Sequence, residues 1–168
     1  MVEKTLKGLH WIVDILNKNN IPYRIGGGFA AHVYGSERQV NDIDISLSGK
    51  YFPLIMSDIS EYIEYDLKHY LNEKWDCDTL SLDYHGQEID MTDIDTLFMS
   101  NKEQTEWFKS KDNHRKFPSV LTIFDGFEIS LVDPRDLVAY KKELVDDGHL
   151  YQADDVKAIE KYITDHNL

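Results

Sequence analysis

Three consecutive glycines, Gly26-Gly27-Gly28, stand between a short apolar run and a short helix-like run, and this arrangement narrows the folds open to the chain. Ile21 to Ile25 reads as a strand with Pro22 near its start, and Phe29 to Tyr34 reads as a short helix ended by Gly35. Glycines at a strand-to-helix junction permit a tight turn and let backbone N–H groups come close to an anion. Taken alone, the run reads first as a plain tight turn before a helix. Neither the Gly-Lys-Ser/Thr of a P-loop nor the dinucleotide-binding spacing accompanies it. Thirteen residues separate Gly28 from Asp42, where Asp42-Ile43-Asp44-Ile45 opens an alternating strand. Alternation puts both carboxylates on one face and both isoleucines on the other.

The remaining elements fill in around this unit. Val2, Leu6, Leu9, Val13 and Leu16 recur at helical spacing, widened by Ile12 and Ile15, and predict a helix over Glu3 to Asn19. Leu54, Ile55, Ile59, Tyr62, Ile63 and Leu67 predict another from Phe52 to about Tyr70. Thr79–Tyr84 and Gln87–Thr92 read as a hairpin turning at His85-Gly86, and Val120–Phe124 and Phe127–Val132 as a second turning at Asp125-Gly126. Residues 95–118 read as either a short helix or an ordered loop. Asp133-Pro134-Arg135-Asp136 is a helix start, with Asp as cap and Pro at the first position. That helix reaches Val145, and a last one begins near Asp154 with Val156, Ile159 and Ile163 inward. The order predicts an α+β domain with a mixed sheet over 1–168, its helical segment 132–168 packed alongside.

Charge bears on partners. Eighteen Lys and Arg against 31 Asp and Glu give a net −13, which opposes general capture of a nucleic-acid backbone. Residues 1–50 carry a net +1 and are the part least hostile to an anion. A lone cysteine, Cys77, excludes an internal disulfide framework and a multi-thiolate zinc site. No apolar run approaches the ~18 residues of a membrane helix, and no signal-type stretch opens the chain, so the expected location is cytoplasmic.

Two carboxylates held close on one strand face repel, and a hard divalent cation relieves the repulsion; Mg²⁺ takes such ligands together with substrate phosphates. Asp-x-Asp is common in a chain with twenty aspartates, recurring at Asp76/Asp78 and Asp93/Asp95, and by itself reads first as a solvated strand face. Context adds weight. In the first hairpin Glu88 and Asp90 share the face opposite Ile89 and Met91, and either could supply a third carboxylate. A glycine turn, an Asp pair and a third carboxylate describe a site for nucleotidyl transfer. His32 reads as packing or surface, and Cys77 as a buried thiol or bystander.

Gly27-Gly28, the gap to Asp42-Ile-Asp44-Ile, and Glu88-Ile-Asp90-Met together resemble the signature of the DNA-polymerase-β-like nucleotidyltransferase superfamily. The full string from Ile25 to Ile45 is similar to its small bacterial and archaeal members, among them lincosamide-type antibiotic nucleotidyltransferases and nucleotidyltransferase toxins. Asp133 to Lys142, followed by Asp155-Val156, resembles the helical segment closing many of these proteins; Gln152 and His149 depart from it, standing where an acidic residue and Arg are common. The resemblance implies Mg²⁺ (or Mn²⁺) dependence and transfer of an NMP from an NTP to an acceptor, with Asp42, Asp44 and Asp90 on the metals and Glu88 as the competing ligand. Gly27 and Gly28 would hold phosphates through backbone groups. Arg38 would brace the loop, meet a phosphate, or form a surface ion pair, and Lys141 and Lys142 would neutralise triphosphate or stand as solvated helix charges. The acceptor expected is a small molecule such as an antibiotic, seated across a homodimer or beside the C-terminal helices. The alternatives are a toxin-type enzyme acting on tRNA or protein, or an inactive nucleotide-binding or interaction protein of the same fold.

Overall fold

The computed structural model describes every residue from Met1 to Leu168. In chain order the elements are α1 (Glu3–Lys18), β1 (Tyr23–Ile25), α2 (Gly27–Val33), β2 (Asp42–Leu47), α3 (Phe52–Ile59), β3 (Ile63–Leu71), β4 (Trp75–Tyr84) and β5 (Gln87–Asp93). There follow β6 (Phe98–Ser100), β7 (Trp107–Lys109), α4 (Ser110–His114), β8 (Val120–Phe124), β9 (Phe127–Leu131), α5 (Pro134–Asp146) and α6 (Ala153–Asp165). The nine strands form one sheet in the order β7-β6-β4-β5-β2-β1-β9-β8, with β3 paired to β4 outside that path. Two pairings are parallel, β2 with β5 and β1 with β9, and the others are antiparallel. This is the mixed sheet that the element order predicts.

Alternation along the central strands divides the sheet into two faces. Ile43, Ile45, Leu47, Ile89 and Met91 are buried in one core with Leu9, Ile12, Val13 and Leu16 of α1. The intervening residues, Asp42, Asp44 and Ser46 on β2 and Asp90 and Thr92 on β5, project to the other face. Both hairpin turns have two consecutive residues with positive φ, His85-Gly86 (52° and 83°) and Asp125-Gly126 (49° and 85°). That geometry matches the twist of the flanking strands and fixes their register. Asp133 caps α5 through the Arg135 N–H at 2.9 Å, with Pro134 in the first turn.

One expected helix is half strand. The helix that begins at Phe52 stops at Ile59, and after a short 3₁₀ turn Ile63–Leu71 forms β3 against β4. Except for Ile63, β3 is exposed along its whole length, so Leu67 has no core to face; its helical spacing from Ile63 carries no packing information. Strand β4 also starts earlier than the expected Thr79, at Trp75. Residues 95–118 supply β6, β7 and the five-residue α4 rather than one helix or loop.

Candidate active site

The parallel pairing of β2 with β5 sets the level of each acidic residue. Asp42 lies opposite Glu88, Asp44 opposite Asp90, and Ser46 opposite Thr92. One carboxylate oxygen from each of Asp42, Asp44 and Asp90 lies within 4.8 Å of the other two. Glu88 is on the same strand face but outside this group, exposed at its outer end. Ser81, the cross-strand partner of Asp90 on β4, donates its hydroxyl to Asp90 Oδ1. Desolvation, with Asp42 and Asp90 alongside, pushes Asp44 up to about 7. Asp90 is also raised, chiefly by burial, against the opposing hydrogen bond from Ser81.

The glycine turn is fastened to the same strand. The Gly26 N–H donates to the Asp44 carbonyl at 2.9 Å, and Gly27 follows in the left-handed region at φ +56°. A Cβ on Gly27 would sit 1.6 Å from Asp44 Oδ2, so no other residue fits there without displacing that carboxylate. At Gly28 the neighbour is the Arg38 guanidinium, 3.1 Å from a Cβ, and its long side chain can yield. Carboxylates and turn open into one cavity of about 790 Å³, walled on the far side by Tyr65 and Tyr70 of β3 and Trp75 of β4, and by α5.

No protein-family model matches the sequence, and no curated protein matches it. Solved structures do. The chain superposes on TM1012 of Thermotoga maritima, assigned as a nucleotidyltransferase, with TM-score 0.68 and 17% identity, over 98% of this chain and 96% of that one. It is also similar to the antibiotic-resistance factor ANT(2'')-Ia, with TM-score 0.65 and 11% identity over 98% and 85% of the two chains. A third is the lincosamide antibiotic adenylyltransferase LnuA, solved with lincomycin bound, with TM-score 0.57 and 13% identity over 93% and 96%. The chain has the nucleotidyltransferase fold.

Within the nucleotidyltransferase fold, the C-terminal helices reach the glycine turn through one buried carboxylate. Asp155 of α6, 0% exposed, accepts from Ser36 Oγ at 2.5 Å, Arg38 Nη2 at 2.8 Å and Lys141 Nζ at 2.7 Å. Lys141, 1% exposed, also donates to Gln152 Oε1 at 2.7 Å. Burial acts to raise the Asp155 carboxyl, but the bonds from Arg38, Lys141 and Ser36 outweigh it and hold the group below its ordinary range. Burial likewise holds Lys141 below its own. Arg38 is thereby fixed over Gly28, with the Tyr151 ring 5.7 Å away.

Of the residues singled out in the sequence, Gly27, Gly28, Arg38, Asp42, Asp44, Asp90 and Lys141 line the one cavity, and Glu88 and Lys142 do not. Lys142 is exposed and paired with Glu160 at 2.5 Å. His32 lies outside the cavity; Cys77 lines it, but burial pushes its thiol up to about 11, away from nucleophile chemistry. Sequence reading missed Ser36, Ser81 and the pairing of Asp155. Ser81 was accessible, because a turn at His85-Gly86 places it opposite Asp90. The Asp155 contacts join α6 to α5 and to the loop after α2, and no local pattern announces them.

Two outcomes follow from these charges. In metal-free protein Asp44 keeps its proton to about pH 7, whereas in the unfolded chain it loses it near 3.8. The native state binds more protons between those values, so stability falls as pH rises through that window. Asp44→Asn should remove this slope, raising Tm over the parent by roughly 3 °C or more at pH 7.5 and by less at pH 5, measured by calorimetry in chelator. Asp155→Asn leaves Lys141 and Arg38 without their anion; removing one partner of a buried pair costs about 3 kcal/mol or more, a Tm loss of roughly 6–12 °C.

Proposed function

We propose that this protein is a metal-dependent nucleotidyltransferase that moves an NMP from an NTP to a hydroxyl of a small-molecule acceptor. The observation carrying this reading is the convergence of the Asp42, Asp44 and Asp90 carboxylates directly beside Gly27. A set of three hard oxygen donors, none of them ion-paired, suits Mg²⁺ or Mn²⁺. Held by Asp42, Asp44 and Asp90, with Glu88 outside the set, the metal when bound supplies charge neutralisation of the triphosphate and acidification of the attacking hydroxyl.

The chain's own groups do the rest. Backbone N–H groups at Gly27 and Gly28 receive the phosphates, and Arg38, anchored by Asp155, adds positive charge above Gly28. Lys141 acts through Asp155 and by its field on Asp44 rather than as a free arm. The acceptor oxygen bonds to the α-phosphorus, the bond from that phosphorus to the β-bridging oxygen breaks, and pyrophosphate leaves. The hydroxyl proton passes to Asp90, whose Oδ1 is occupied by Ser81 and whose Oδ2 is free. The cavity volume falls within the ~300–1,000 Å³ of small-molecule clefts, and the net −13 disfavours nucleic acid. An antibiotic is the acceptor class that the LnuA and ANT(2'')-Ia likenesses suggest first.

The test is transfer of label from α-³²P-NTPs, with Mg²⁺, to a panel of antibiotics, RNA and the protein itself. Transfer confined to RNA or to the protein would contradict the small-molecule reading. Once an acceptor is found, Asp90→Asn should lower turnover by at least ~10², about 3 kcal/mol of transition-state stabilisation, and Glu88→Gln by less than tenfold. Gly27→Ala should be as damaging as Asp90→Asn, because its Cβ displaces Asp44, while Gly28→Ala is milder. Equal losses at Glu88 and Asp90 would put the third ligand in the wrong place.

A further inference from the structure

One half-buried cation in the cavity takes no part in the chemistry above. Arg115 follows α4 and lines the cavity. Its Nη2 donates to Ser46 Oγ at 2.5 Å, while its Nη1 is buried without a partner. The nearby carboxylate of Asp136 offsets part of its charge but makes no hydrogen bond to it: Asp136 accepts the Lys116 and Phe117 N–H groups, each at 3.0 Å, one on each oxygen. Arg24 adds a second positive charge and is turned to the Phe117 carbonyl at 3.0 Å. Desolvation, then Arg24, pushes the Arg115 guanidinium down to about 10, so it remains charged at neutral pH. A buried donor left open is costly, and most such groups in folded proteins have partners.

Position makes the open donor informative. Ser46 stands two residues beyond Asp44 on the same strand face, roughly 7 Å along β2, with Thr92 opposite it on β5. This stretch of cavity floor presents two hydroxyls and a guanidinium, and Asp136, which also lines the cavity, has both carboxylate oxygens turned to backbone N–H groups. The glycine turn lies in the other direction: β1 runs antiparallel to β2, Ile25 is level with Ile45, and the Gly26 N–H that follows reaches the Asp44 carbonyl. With pyrophosphate leaving on the turn side, an in-line acceptor approaches from the side facing Arg115.

We propose that Arg115, with Ser46 and Thr92, forms an oxyanion subsite, and that the acceptor carries a carboxylate or phosphate group seated on the open Nη1. The subsite stands on the geometry of Arg115 alone, whereas its assignment to the acceptor rests on the transfer reading. Guanidinium is suited to either anion because its parallel N–H groups match their oxygens.

The experiment is an NMR titration of the metal-free full chain, following the Arg115 side-chain Nε–H and the Ser46, Thr92, Gly27 and Gly28 amides. Orthophosphate is added in one arm and acetate in another, with chloride at equal ionic strength as reference. At least one anion should shift Arg115 and Ser46 saturably, and the arm that does so names the group. Arg115→Gln should weaken that binding at least tenfold; Arg115→Lys, which keeps the charge, should retain part of it and guards against a folding defect. Absence of saturable shifts at Arg115 and Ser46, or binding that survives Arg115→Gln, would overturn the subsite. Acceptors paired as free acid and methyl ester, offered with Mg²⁺-NTP, then test the assignment: labelling of the acids alone supports it, and equal labelling of the esters overturns it. Mg²⁺-NTP binding read at Gly27 and Gly28 reports on the transfer reading separately, so loss of one leaves the other standing.

Discussion

Two strands running in the same direction, β2 and β5, hold Asp44 level with Asp90, and the rest of the site is arranged around that unfavourable pairing. Like charges directly opposite each other destabilise a sheet, and partial burial increases the repulsion. The fold tolerates the pair because the opposite face of the same strands is strongly apolar. Ile43, Ile45, Ile89 and Met91 are sealed against α1, and slipping the register by one residue would bury the aspartates and expose the isoleucines. The core therefore fixes the register, and the register fixes the carboxylates.

Charge of the other sign is supplied at a distance. Asp155 gathers Ser36, Arg38 and Lys141, linking α6, α5 and the loop after α2 in one buried network with two cations for one anion. Neither cation is bonded to Asp42, Asp44 or Asp90, so the oxygens proposed to hold the metal remain open while the surroundings are made less negative. The same network keeps Arg38 against Gly28, where a flexible arginine on an exposed loop would otherwise lose side-chain entropy on binding phosphate. A chain of net −13 thus places two cations, Arg38 and Lys141, in the wall of its cavity.

Much of this was legible in the sequence wherever local pattern and burial coincide. The Gly26–Gly28 turn, the alternation through Asp42–Leu47 and the turns at His85-Gly86 and Asp125-Gly126 each depend on residues within a short stretch. Spacing alone could not choose between Glu88 and Asp90, since both share one strand face and both stand level with a β2 aspartate; the carboxylate positions put Asp90, and not Glu88, within 4.8 Å of Asp42 and Asp44. Strand β3 was misread because it lies exposed against β4 and is broken by two register shifts, so Tyr65, Leu67 and Tyr70 answer to no buried face. The pairing of Asp155 and the place of Arg115 were hidden for a different reason. Their meaning lies in partners such as Ser36 and Ser46, which the tertiary fold brings to them across the chain.

The proposed transfer requires that the three carboxylates and the glycine turn form one metal-and-triphosphate site. Anomalous diffraction from crystals grown with Mn²⁺ and a non-hydrolysable NTP tests this most directly. Manganese is expected among Asp42, Asp44 and Asp90, with the triphosphate against Gly27 and Gly28. Manganese found instead at another acidic pair, such as Asp76/Asp78 or Asp93/Asp95, with that group empty, would contradict it.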